Sequence, residues 1–319
     1  MSEDFFGRIR SASASVMERA RVVRIDPVAL AELADELPTK QAPQLSPAHH
    51  YIGEPDDTLA FILTLDVINF GSGYFPYLNK RPGLSGYFTV AASLRERWES
   101  QGPFGADELS ALSAADCAQL IQQDPSVPEV VELMSLFARA LNDLGEFLLT
   151  HFDGDPTGPV VAANQSAGRL AEILIQMPLY RDVSHYGDFE VPFYKRAQLT
   201  AADLAAAFDG KGYGAFLDLD QLTIFADNLV PHVLRREGVL VYDAELASRI
   251  DAGELLLAGS PEEVEIRAGA VHAVERSVAR LREAGVDTTA HQLDYVLWNR
   301  GQLPEMKAHP RHRARTTYY

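Results

Sequence analysis

The stretch Val127-Pro-Glu-Val-Val-Glu-Leu-Met-Ser-Leu-Phe-Ala-Arg-Ala-Leu-Asn-Asp-Leu-Gly-Glu-Phe-Leu-Leu-Thr-His-Phe152 decides the fold class. Its apolar residues Val130, Leu133, Met134, Phe137, Leu141, Leu144, Phe147 and Leu148 recur three and four positions apart, which places them on one face of an α-helix. The same period returns elsewhere. Ser260-Pro-Glu-Glu263 reads as a capping box with proline at the first helical position. The helix it opens carries Val271, Val274, Val278 and Leu281 on one face and stops near Gly285. Thr200-Ala-Ala-Asp203 opens a further helix that ends before Gly210, and Asp57 to Phe70 reads as a helix apolar all round, hence buried. Strand-like alternation is confined to short pieces such as Gly238-Val-Leu-Val-Tyr242. The chain is therefore expected to be mainly α, with at most short β pieces. No internal repeat or low-complexity linker divides it, so residues 1–319 read as a single helical domain whose site is assembled from distant segments.

Composition narrows the function. Of 319 residues, 47% are hydrophobic and 23% charged, and the formal net charge is −17. A protein that grips a nucleic-acid backbone needs a basic surface, and here only the tail Lys307 to Arg315 is basic. Long DNA or RNA is an improbable partner, while a small anion in a local basic pocket fits. No run of about 18 uncharged apolar residues is present, so no membrane span is expected. The N-terminus, Met-Ser-Glu-Asp-Phe-Phe-Gly-Arg, does not read as a secretory signal. One cysteine, Cys117, precludes an intramolecular disulfide and a multi-thiolate zinc site, and suits a reducing cytoplasm. The chain lacks Gly-x-Gly-x-x-Gly, a phosphate loop, His-Glu-x-x-His and Gly-x-Ser-x-Gly, and His49-His50 has no partner at metal-ligand spacing. Neither a metal nor an organic cofactor is expected.

Four segments carry side chains of chemical interest. In Leu222-Thr-Ile-Phe-Ala-Asp-Asn-Leu-Val-Pro-His-Val-Leu234 a single carboxylate, Asp227, sits among apolar neighbours, where it loses hydration worth about several kcal/mol unless something offsets the loss. It is either a core aspartate bonded to backbone amides or capping a helix, or a catalytic carboxylate. Asp66, Asn69 and Phe70 fall at i, i+3 and i+4, a stripe that suits either a flat polar heterocycle or a buried network. Gly71-Ser-Gly-Tyr-Phe-Pro76 then turns the chain sharply and would let backbone approach a ligand. Tyr194, Lys195 and Arg196 follow an extended apolar piece, and their aromatic flanks suggest a partly buried cation that needs an anion, either a phosphate or Asp227 itself. His291, Asp294 and Trp298 share a helix ending at Gly301; an acid beside an indole grips a base, or else covers the edge of the core.

Together these segments resemble a known family. The stretches Leu65-Asp-Val-Ile-Asn-Phe70, Val191-Pro-Phe-Tyr-Lys-Arg-Ala-Gln198, Leu222-Thr-Ile-Phe-Ala-Asp-Asn-Leu-Val-Pro231, Glu263-Val-Glu-Ile-Arg-Ala268, Leu293-Asp-Tyr-Val-Leu-Trp298 and His309-Pro-Arg-His-Arg-Ala-Arg-Thr-Thr-Tyr-Tyr319 resemble, in order, the queuosine salvage proteins, the queuosine 5′-phosphate N-glycosylase/hydrolases. The resemblance implies a fold similar to helix-hairpin-helix DNA glycosylases, whose essential aspartate with its following valine and arginine is loosely echoed by Asp227, Val230 and Arg235. It implies hydrolysis of the N-glycosidic bond of queuosine 5′-monophosphate, with Asp227 and Lys195 catalytic and Phe70 and Asp294 touching the base. Phe225 and Trp298 are further stacking candidates, with Asp66 a further base contact. His49, Lys195, His232 and Arg235 are candidates for the phosphate, with Asn69 and Tyr194 completing the expected substrate contacts. Other readings are a glycosylase for another modified nucleoside or a DNA base, and a non-catalytic binder of a modified base.

Overall fold

All eight apolar positions spaced along Val127–Phe152 are buried, and the helix they define runs Pro128–Phe152. Proline occupies its first turn, where a missing N–H costs nothing, and Asp153 ends it in a left-handed conformation with φ 52°. The structure is a computed structural model that describes residues 4–37 and 43–319. The first three residues of the stretch weighed as a secretory signal lie outside it. Fifteen α-helices and three two-stranded sheets make up the described residues, so the chain is mainly α. None of the helices is long and apolar enough to cross a membrane.

Two long helices organise the packing. Pro261–Glu283 lies against Phe5–Arg19, Pro27–Glu36, Val230–Arg236 and Ala290–Gly301. Pro128–Phe152 packs on Pro55–Val67, which in turn packs on Lys195–Ala207 and Gly86–Gln101. Buried apolar side chains from Phe5 to Met306 form one contiguous cluster. Burial of that surface, at roughly 25 cal/mol per Å², is the main force holding the helices together.

Three local readings are corrected. The apolar helix expected over Asp57–Phe70 runs Pro55–Val67, because the chain leaves helical geometry at Ile68. Asn69 and Phe70 therefore project from a turn and do not continue a helical stripe from Asp66. The helix expected to open at Thr200 begins at Lys195, and Thr200 donates its hydroxyl to the Arg196 carbonyl inside it. The capping box at Ser260 is half formed. Ser260 Oγ accepts from the Glu263 amide, but the Glu263 carboxylate accepts from Gly259 N and pairs with Arg267.

The sheets are small clamps. Val23–Ile25 pairs antiparallel with Leu240–Tyr242, and Val183–Tyr186 forms a hairpin with Phe189–Pro192. Leu255–Leu256 pairs in parallel with Arg313–Ala314 and so fastens the basic tail to the body. The glycine turn 71–76 serves the same tail. Gly71, at φ 101°, donates its amide to the Tyr319 carbonyl. A Cβ on Gly73 would stand 2.2 Å from the Ala314 carbonyl oxygen. These glycines admit the tail's backbone, while Ser72, Phe75 and Pro76 of the same turn line the cavity described below. Gly73→Ala should therefore cost about 1–3 kcal/mol through overpacking and raise amide exchange across residues 311–316. Unchanged stability and exchange would show that the tail is not held there.

Candidate active site

Asp227 leaves the apolar strip Leu222–Ala226 at the point where the chain turns into the helix Val230–Arg236. Its Oδ1 accepts the amides of Leu229 at 2.7 Å and Val230 at 3.1 Å, which pins the carboxylate to the turn that leads into that helix. These bonds use one oxygen. The half-buried side chain lines a cavity of about 800 Å³, and its Oδ2 accepts no hydrogen bond among the described residues. Asp227 is thus both an aspartate bonded to backbone amides and a carboxylate presented to a ligand-sized space.

Lys195 and three further carboxyls gather around it. Lys195, 6% exposed, faces Asp227 most strongly, then Asp66 and Asp203. Burial lowers its pKa, and those carboxylates oppose the shift. Its ammonium also approaches the Asn69 carbonyl at 3.5 Å. Asp294, in the helix Ala290–Gly301, accepts the Phe225 amide at 2.9 Å. Burial pushes the Asp294 carboxyl up to about 7, with Asp227 adding to the rise and the Phe225 amide and Lys195 opposing it. Asp203 is raised by burial and by its contact with Asp66, which lies fully buried behind it. Two adjoining carboxyls of this kind share a proton, because both cannot ionise in a dry site.

One buried ion pair holds these groups in register. Arg267 makes a two-pronged bond to Asp182, at 3.0 and 2.6 Å, and both side chains are sealed from solvent. Asp182 Oδ2 also accepts the Lys195 amide at 3.2 Å, while Arg267 Nε donates to the Ala226 carbonyl at 2.9 Å. The residue that starts the lysine's helix and the residue before Asp227 are thereby tied through a single guanidinium. Tyr194 precedes Lys195 in a left-handed conformation, φ 46°, which aims the first helical residue inward. Arg196 is buried beside it and donates to the carbonyls of Val67 and Leu179, fixing the end of the helix Pro55–Val67.

The cavity brings together Asp227, Lys195, Asn69, Phe70, Phe225, His232, Asp294 and Trp298. Phe70 packs edge-on against Phe137, and Trp298 packs edge-on against Tyr87 and Phe88. Four expected residues stand elsewhere. Tyr194 stacks on Phe5 at 5.0 Å and faces an outer groove. His49 packs on Phe88, and its neighbour His50, bonded to the Tyr87 hydroxyl at 2.8 Å, takes the cavity wall. Arg235 is spent on Asp251 at 2.9 Å. Asp66 reaches the cavity only through Asp203. Asp203 and Arg311 were not anticipated, one hidden in an apparent capping motif and the other in a basic tail. Among the described residues no group of three or more His, Cys, Asp or Glu side chains is placed to hold a metal ion.

Comparison with known proteins adds a second line of observation. Residues 49–319 match the family described as queuosine salvage protein. The chain is similar to the queuosine 5′-phosphate N-glycosylase/hydrolase of Sphaerobacter thermophilus, 36% identical over 311 residues and 95% of each chain. It is also similar to proteins of that name from Mus musculus, 31% identical over 84% of this chain and 83% of the relative, and from Dictyostelium discoideum, 32% identical over 82% and 78%.

The geometry makes a stability prediction. Arg267→Met leaves Asp182 and Glu263 buried without their counter-charge and should cost about 3–5 kcal/mol in urea unfolding. Asp251→Ala, which removes the exposed partner of Arg235, should cost less than about 1 kcal/mol. Equal effects would deny the buried pair its special place.

Proposed function

The chain belongs to the queuosine salvage protein family, and from that premise we propose that it hydrolyses the N-glycosidic bond of queuosine 5′-monophosphate, releasing queuine and ribose 5-phosphate. One observation carries the reading: the free oxygen of Asp227 opens onto a cavity walled by Phe70, Phe225 and Trp298, with Lys195 and Asp294 beside it. The aromatic walls suit a flat base, at about 1–3 kcal/mol per stacking contact. Residues 1–319 act on this reading as one hydrolase domain, supported by the apolar cluster running from Phe5 to Met306. The reading places the reaction in the cytoplasm, in keeping with a single buried thiol at Cys117. Its partner is a small nucleotide and no long nucleic acid, in keeping with a net charge of −17.

The chemistry follows from the bond broken. As the C1′–N bond lengthens, its electron pair leaves with the base and positive charge builds on the ribose. Asp227, held by two backbone amides, is a fixed negative charge for that cation and needs no reorganisation when the charge develops. The oxygen of a water then bonds to C1′, and one of its protons ends on the departing base. Queuine is a 7-deazaguanine and has no N7 to accept a proton, so the leaving base is helped at its other atoms. The Asp294 carboxyl, protonated below about 7, donates a hydrogen bond to it. Lys195 offsets the crowding of carboxylates and keeps the cluster stable without ligand.

Two measurements test this. Asp227→Asn should lower kcat on queuosine 5′-monophosphate by about 10²–10³-fold or more, with the far-ultraviolet circular dichroism unchanged; near wild-type turnover would remove Asp227 from the chemistry. The active form needs Asp294 protonated, and that form is populated below its pKa, so kcat/KM should fall as pH rises through about 7. Asp294→Asn keeps a donor at every pH and should abolish that limb. A limb that persists in the variant belongs to another group.

A further inference from the structure

The Arg267 guanidinium is flanked by two aromatic rings as well as by its carboxylates. The ring centroids of Phe193 and Tyr319 stand 4.0 and 4.9 Å from its central carbon. Both rings are buried, but they differ in what lies beyond them. Tyr319 lines the cavity, whereas Phe193, Arg267, Asp182 and Glu263 do not. Tyr319 is therefore the ring contact of Arg267 that faces the cavity. Its hydroxyl is buried beside Glu263 without an aligned hydrogen bond, so the ring carries the contact.

The segment that delivers Tyr319 reaches each part of the site. The His312 carbonyl accepts Asn228 Nδ2 at 3.2 Å, one residue from Asp227. The His312 ring is buried and packs edge-on against Tyr319, with centroids 6.1 Å apart. The Tyr319 carbonyl accepts the amides of Gly71 at 2.9 Å and Ser72 at 3.4 Å, directly after Asn69 and Phe70. Residues 312–319 thus touch the Asp227 loop, the Phe70 turn and the guanidinium that ties Lys195 to Asp227. A guanidinium over a ring is drawn to its negative face, and the attraction grows when both are desolvated. Water admitted beside Arg267 would compete for its hydrogen bonds and weaken the pair with Asp182, which is strong because its surroundings are dry.

We propose that Tyr319 is a positioning residue: residues 312–319 form a clasp whose ring seals Arg267 against the cavity and so holds Lys195 and Asp227 in register. Its consequence for turnover rests on the hydrolase reading above, while the clasp itself rests on packing. Tyr319 acts through Arg267, which grips Asp182 and the Ala226 carbonyl, and Asp182 in turn holds the Lys195 amide. With the ring removed, the guanidinium gains water as a competitor and both backbone ties loosen together. A residue that merely touched the nucleotide would set KM and leave the backbone at Lys195 unmoved. A residue that merely filled the core would loosen the whole fold, without preference for the segments that Arg267 joins.

The test compares Tyr319→Phe, Tyr319→Leu and Tyr319→Ala in the full chain, by hydrogen exchange and by kinetics on queuosine 5′-monophosphate. Loss of the ring should speed exchange at the amides of Lys195, Leu229 and Val230 by about 10–30-fold, the factor by which a desolvated cation–π contact favours the closed arrangement. Amides from Leu141 to Leu148 should exchange as in the wild type. In Tyr319→Leu and Tyr319→Ala kcat should fall by about 10–100-fold with KM within about 3-fold, the scale on which misplacing reacting groups by about 1 Å acts. Tyr319→Phe keeps the ring and should hold both readouts within about 3-fold of wild type. Should Tyr319→Ala fail to fold, Tyr319→Leu decides, since it keeps bulk without the π face. Unchanged exchange at Lys195 in a folded variant lacking the ring overturns the proposal. So does an equal rise across Leu141 to Leu148, a raised KM at wild-type kcat, or a Tyr319→Phe protein impaired as far as Tyr319→Leu. A wild type that leaves the nucleotide intact sinks the hydrolase reading, and the exchange readout still judges the clasp.

Discussion

The Arg267–Asp182 ion pair is the constraint on which the site depends. Lys195 and Asp227 lie on different elements, one opening the helix Lys195–Ala207 and the other ahead of the helix Val230–Arg236. Their relative position would drift with ordinary helix packing were they not tied through one guanidinium. Arg267 grips Asp182 with two nitrogens and the Ala226 carbonyl with the third, while Asp182 holds the Lys195 amide. Both partners are dehydrated, so the pair is costly to assemble and costlier to break. Its return lies in geometry more than in stability: a charge-stabilising carboxylate is useful only if it stays fixed while the substrate's charge changes.

The cavity is electrically graded around that fixed point. Asp66, Asp203 and Asp294 crowd beyond Lys195, while Arg311, Lys80 and His232 stand on the tail side of Asp227. This gradient reconciles a strongly acidic protein with an anionic substrate. The carboxyl end offers acceptors and, through the raised pKa of Asp294, a donor to a base rich in polar edges.

What the sequence made legible follows from range. The helix Pro128–Phe152 and the face of Pro261–Glu283 were readable because periodicity is a local property that tertiary packing then used. Asp227 was readable because a charge in an apolar strip is a local anomaly. The start of the helix Lys195–Ala207 was not, since its first residue follows a left-handed tyrosine with no capping side chain, whereas Thr200-Ala-Ala-Asp203 imitated a start. Asp182 and Arg267 form a pair between residues 85 positions apart in sequence, and no pattern in either neighbourhood announces the other. Arg311 was legible only as one charge of the basic tail Lys307 to Arg315, and long-range folding is what puts it on the cavity lining facing Asp227. Short-range periodicity thus revealed the scaffold, and long-range pairing hid the positioning network.

The most direct measurement of the central claim is to incubate the purified chain with queuosine 5′-monophosphate and follow the products by mass. Equal amounts of free queuine and ribose 5-phosphate, formed catalytically, are the predicted result. Recovery of the intact nucleotide, bound or free, would contradict the account and make the protein a binder of modified nucleotides.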